Sequence, residues 1–182
     1  DIRAEGNKWE EWGKTLDEHR PTIWEKYDWS FQGWGALIQS HILNYALNDN
    51  VVIIGRGGNF TLKDVPFAFS IRVTAPLDMR IKRINRRDSV DEKTAEWLID
   101  RTDKERAGFI NALYGKRWDD PAEYDMVFDA GIKPIEEITD IVKDTLIKKD
   151  KLKTDGALNT LKMKALAAKV KAGILTDPSF FV

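Results

Sequence analysis

Residues 51–60 read VVIIGRGGNF, and this stretch constrains the fold more than any other in the chain. Val51 to Ile54 are all β-branched. Such a run suits a strand buried on both faces of a parallel sheet, because branched side chains pack well on a pleated surface and a doubly covered strand needs no polar alternation. Two more candidates follow: FAFSIRVTA at 67–75 and the short DMVFDA at 125–130. Helical patterns separate them. Between Trp34 and Asn48, Leu37, Ile38, Ile42, Tyr45 and Ala46 recur at three- and four-residue spacing. Pro76 and Asp78 predict a helix start, with Pro at the first helical position and an acid in the first turn. Ser89 followed by Glu92 has the spacing of a capping box, predicting a helix from Asp91 toward Tyr114 that Gly115 stops. Pro134 opens another helix. This alternation is α/β, and it predicts that 51–55, 69–74 and 126–129 are parallel strands of one sheet with helices on both faces.

Composition narrows the function classes. The 29 Lys and Arg stand against 30 Asp and Glu, a net charge of -1, which argues against a general nucleic-acid surface. With no cysteine there is no disulfide framework or thiolate metal site, and two histidines, His19 and His41, support no histidine-built zinc centre. No apolar run approaches the ~20 residues of a membrane span. The start, Asp1 onward, is polar and rich in tryptophan instead of signal-like. These features suit a soluble, cytoplasmic protein. Residues 1–32, with Trp9, Trp12, Trp24 and Trp29 among charges, are read as irregular with short helices.

Glycines after a strand often hold phosphate, so two fingerprints were tested. The dinucleotide pattern begun at Gly55 needs a third glycine where Phe60 stands, and Pro66 follows too soon for a helix to open there. The GKT at Gly13, Lys14 and Thr15 lacks the first glycine of a P-loop, Lys8 standing in its place, and no apolar strand precedes it. Neither fits. What remains is a turn whose bare glycines let backbone approach a ligand and whose Arg56 can grip phosphate bidentately, or a tight turn with Arg56 solvated or paired to an acid. Arg80, Arg83 and Arg87 can form a column on one helix face, directed at a site or simply solvated. Asp103 and Arg106 are spaced either for a shared site or for an ordinary ion pair. Asp119 and Asp120 offer two carboxylates before Pro121, a pair that suits magnesium and suits capping a turn better.

VVIIGRGGNF, FSIRVTAPLDMRIKRI, TDKERAGFI, YGKRWDDPAEYDMVFDA and IEEITDIV, in that order and spacing, resemble the cytidylate kinase-like family, a branch of the P-loop nucleoside monophosphate kinases, over residues 33–149. The resemblance implies a three-layer parallel sheet of strand order 2-3-1-4-5, phosphoryl transfer from ATP with Mg2+ to a nucleoside monophosphate, and a nucleotide partner. It places Gly55, Arg56 and Gly57 at the acceptor, with Gly57 where cytidylate kinases proper have aspartate. It puts Arg80, Arg83 and Arg87 at the rim of the triphosphate site. Asp103 and Arg106 match the D-x-x-R of the lid, where aspartate helps bind the acceptor and arginine reaches the transferring phosphates. The earlier lid arginine falls on Ile99. The Trp118, Asp119, Asp120, Pro121 and Tyr124 set resembles a signature of this branch, absent from cytidylate kinases proper.

The resemblance also implies a first strand and P-loop that this chain lacks, supplied by residues before Asp1, by the N-terminal segment or by a neighbouring copy in a homo-oligomer. An active kinase, a catalytically inactive nucleotide-binding module and a protein-interaction module are three distinct expectations from that gap. Residues 1–149 are assigned to the kinase-like domain and 150–156, DKLKTDG, to a linker. Residues 157–182 hold an amphipathic helix that resembles the opening of a BON domain, whose Leu158, Leu161, Ala165, Leu166 and Val170 are expected to pack on the body, on another chain, or to remain unordered.

Overall fold

A computed structural model describes residues 29–180. The short helices expected across residues 1–28 lie outside the described residues. Helix α1 spans Trp29–Ala46, and a single helical turn, α2, spans Gly58–Thr61. Strand β1 (Ile71–Thr74) leads to α3 (Leu77–Asp88) and the long α4 (Glu92–Tyr114). A 3-10 turn at Pro121–Glu123 precedes β2 (Met126–Asp129), after which come α5 (Ile135–Asp150), α6 (Asp155–Thr176) and a final 3-10 turn at Pro178–Phe180. Among the described residues no helix is long and apolar enough to cross a membrane.

The expected α/β alternation is present, but the sheet is smaller than a three-layer kinase sheet. β1 and β2 pair in parallel with Ile71 opposite Met126 and Thr74 opposite Asp129, and they form a two-stranded sheet. Residues 51–55 are not a strand of it: Val51–Ile54 pair with nothing in a ladder, and Val52 and Ile54 are 87% and 94% exposed. β-branching favours an extended backbone, yet a strand needs a neighbour for its N–H and C=O groups. In the strand order that the resemblance implies, a first strand would be that neighbour.

Several helix boundaries depart from their local sequence signals. Asp91, not Ser89, caps α4: its side chain accepts from Thr94 N at 2.7 Å, while Ser89 ends α3 in the left-handed region at φ 54°. A carboxylate two residues closer to the helix wins over the Ser89–Glu92 pattern. Pro76 and Pro134 sit at the cap position, one residue before each helix. The turn at Gly58 shows that a short helix does open before Pro66. Gly115 ends α4 at φ 63°, as its spacing predicts.

Three apolar clusters hold the elements. Phe31 and Trp34 of α1 pack on Phe109 and Ile110 of α4, with Phe60, Tyr114 and Trp118 at the rim. Leu43 of α1 meets Val65 and α6 through Leu161 and Ala165. Ile81 of α3 meets Ala95 and Ile99 of α4. Helix α6 thus lies on the body, further tied by Lys164 to Asp64 at 2.9 Å, and Lys153, two residues before the helix, pairs with Asp49. Its buried face is Ala157, Leu161, Ala165 and Ala172, so Leu161 and Ala165 pack on the body as expected, whereas Leu166 and Val170, each 54% exposed, do not pack on it. Close approach explains the choice of small residues: a Cβ on Gly33 of α1 would stand 2.7 Å from the Leu175 carbonyl oxygen of α6.

Candidate functional site

The Ile81–Ala95–Ile99 cluster sets α3 across the first half of α4, which brings Arg80 beside Asp103. Arg80 grips Asp103 with both terminal nitrogens, at 2.7 Å to Oδ2 and 2.9 Å to Oδ1. Arg106, one turn along α4, makes a single 3.2 Å bond to Oδ1 of the same carboxylate. All three side chains are partly exposed. Two guanidiniums facing one carboxylate leave local positive charge, and the geometry divides them: Arg80 is held in a fork, Arg106 by one long bond.

Arg56 reaches the same helix from the glycine turn. Its guanidinium lies 5.8 Å from the centre of the Phe109 ring, three residues beyond Arg106. The turn is seated on the end of α4 by Gly57, which has φ 83° and lies so close to Tyr114 that a Cβ there would stand 2.4 Å from its hydroxyl. Tyr114 stacks on Phe60 with centroids 5.0 Å apart and shares a 3.1 Å hydrogen bond with Thr61. Burial pushes its phenol up from the ordinary value, against the hydrogen bonds to Thr61 and Gln39. Asn59 donates to the Glu123 carbonyl at 3.0 Å, and Lys63 and Lys116 clamp the Glu123 carboxylate at 2.6 and 2.8 Å. Those lysines hold that carboxyl below its usual range. Gly55, by contrast, is exposed and nothing crowds it.

Arg80, Asp103 and Arg106 are therefore together, and Arg56, from the glycine turn, meets Phe109 one turn further along α4. Arg83 and Arg87 do not join Arg80 at Asp103. Arg83 is exposed, and Arg87 turns to the adjacent Asp88 at 2.7 and 2.8 Å. Asp119 pairs with Arg117, and Asp120 caps the 3-10 turn by accepting from Ala122 N at 2.9 Å. Both acids thus serve the turn. Among the described residues no group of three or more histidine, cysteine or acidic side chains could hold a metal ion.

Sequence reasoning missed Arg72. From β1 it donates to the Trp118 carbonyl at 2.9 Å and lies 4.3 Å over the Trp118 ring. Arg106 approaches the same ring at 5.7 Å. The available signal was a long cation in a strand otherwise made of Ile71, Val73 and Thr74, but its partner is 46 residues away.

A 104-residue stretch is 30% identical to a protein named uronate isomerase from Corynebacterium glutamicum, covering 57% of this chain and 20% of that protein. The chain spans about a fifth of that relative, too little to carry its activity over. A solved structure of an uncharacterized protein from Eubacterium ventriosum superposes with a TM-score of 0.60 at 26% identity, covering 74% of this chain and 81% of that one. The model of the cytidylate kinase-like family matches residues 4–132, and the chain belongs to that family.

Proposed function

We propose that this chain binds a nucleoside monophosphate through its phosphate and contributes to phosphoryl transfer from ATP. Arg106 and Arg56 are the phosphate-binding cations, Asp103 holds Arg106 toward the acceptor, and Arg80 anchors Asp103. The Arg80–Asp103–Arg106 arrangement carries the reading: the fork keeps the carboxylate in place, while Arg106 has only one long bond to give up to an incoming anion. Phosphoryl transfer asks a protein mainly for positioned charge, and arginine supplies it with a guanidinium that stays protonated. Gly55 and Gly57 shape the acceptor turn, while Arg83 and Arg87 remain candidates for donor phosphates. ATP and Mg2+ would supply the transferable phosphoryl group and neutralise its charge.

A second reading, nucleotide binding without transfer, is favoured by one observation. Ile99, at the position of the earlier lid arginine, is built into the α3–α4 core at 6% exposure. Calorimetric titration with cytidine, uridine and adenosine monophosphates tests binding, and a phosphoryl-transfer assay with ATP then separates the two readings. Arg106→Ala is expected to weaken monophosphate binding by about 1.5–3 kcal/mol, the scale of a charged hydrogen bond. Equal affinity in the variant would reject the assignment.

A further inference from the structure

The Trp-Asp-Asp-Pro segment has carboxylates engaged in its own turn, but its tryptophan reaches elsewhere. The Trp118 ring packs at the rim of the Phe31–Trp34–Phe109–Ile110 cluster. Its carbonyl accepts from Arg72 Nη1 at 2.9 Å and from the Tyr124 hydroxyl at 2.7 Å. Arg72 also lies over the ring, 4.3 Å from its centre, within reach of a cation–π contact. The segment is anchored to β1 a second time, where Asp125 accepts from Ser70 N at 2.8 Å and Ser70 Oγ at 2.7 Å. The ring is thus fixed by the core, by β1 and by its own turn. Against it stands Arg106, at 5.7 Å, whose other restraint is the single 3.2 Å bond to Asp103.

We propose that Trp118 is a positioning residue: its ring, faced by Arg72 and carried on a backbone that Arg72 and Tyr124 pin at the carbonyl, holds the Arg106 guanidinium in place for phosphate. This rests on the nucleotide reading of Arg106 and gives the tryptophan of that segment a role. A ring is a suitable rest because it attracts the cation without satisfying its N–H donors, so they stay available to an anion. A second carboxylate would compete with phosphate for the same donors. Arg72, engaged by the Trp118 carbonyl, is the latch.

Two measurements on the full chain test this. In arginine-selective NMR, with the resonance identified by its loss in Arg106→Lys, the Arg106 Nε–H signal is expected to carry the ring-current shift of Trp118. Trp118→Leu should abolish that shift and Trp118→Phe should retain part of it. An Arg106 signal unmoved by Trp118→Leu overturns the proposal. Calorimetry with cytidine, uridine and adenosine monophosphates supplies the second arm. Trp118→Leu should weaken binding about 3- to 10-fold and Trp118→Phe much less, on the scale of a cation–π contact. In an Arg106→Ala background the Trp118→Leu effect should vanish. A loss that persists there shows a merely structural tryptophan and also overturns the proposal. If the unaltered chain binds no monophosphate while the ring-current shift is present, the nucleotide reading fails and the Trp118–Arg106 contact stands.

Discussion

Gly57→Ala removes the seating of the glycine turn on α4, and its cost follows from the geometry. The backbone at Gly57 has φ 83°, where an L side chain costs about 1–2 kcal/mol. The added methyl would lie 2.4 Å from the Tyr114 hydroxyl and 2.9 Å from two ring carbons, so the ring must leave its place. Moving it loosens the 3.1 Å bond to Thr61, worth about 1 kcal/mol, and the stacking on Phe60, worth about 0.5–1 kcal/mol. A destabilisation of about 2–4 kcal/mol is expected. Gly55→Ala is the control, since φ there is 152° but no atom lies within 4 Å of an added methyl. Urea denaturation of both variants separates backbone strain from the Tyr114 contact. Tyr114→Phe should recover part of the Gly57→Ala loss by removing the nearest atom. Equal costs for the two glycine variants, within about 0.5 kcal/mol, would refute the claim that Tyr114 seats the turn.

Alkaline unfolding should report Tyr114. Its folded-state phenol is raised by burial, so its contribution is complete below the unfolded value near ~10 and is lost as pH rises through the folded one; Tyr114→Phe should flatten that loss. Leu161→Ala, at 1% exposure between α1 and α6, should cost about 2–5 kcal/mol in urea denaturation, and hydrogen exchange should quicken in α6. Burial pushes the Asp125 carboxyl up, but Lys149 and Ser70 together draw it below its ordinary value. Its contribution is therefore present above the usual carboxylate range and lost as pH falls through the folded value, and Asp125→Asn should flatten the acid limb of a stability-against-pH curve.

Long periodic segments and their stops were legible in the sequence, because they depend on near neighbours. Helix α4 and its end at Gly115 follow from spacing alone. The parallel pairing of 71–74 with 126–129 follows from the alternation of strand and helix. The strand at 51–54 failed because β-branching speaks of backbone preference and says nothing about whether a partner strand is present. On α6 the expected apolar set caught Leu161 and Ala165 but also took in Leu166 and Val170, whereas close helix approach buries Ala157 and Ala172 instead. The site divides similarly. Asp103 and Arg106 lie three residues apart and were readable as a pair, but Arg80 reaches Asp103 from 23 residues away. The link from Arg72 through Trp118 to Arg106 joins three elements and has no local signature.

Whether Arg56 and Arg106 hold a phosphate is decided by comparing cytidine with cytidine monophosphate on the same chain. Calorimetry should give tighter binding of the monophosphate by about 10-fold or more, the scale of one charge-assisted hydrogen bond, and the Arg56→Ala, Arg106→Ala double variant should bring the two ligands to equal affinity. Equal affinities in the unaltered chain, or a monophosphate preference that survives the loss of both arginines, would contradict the account.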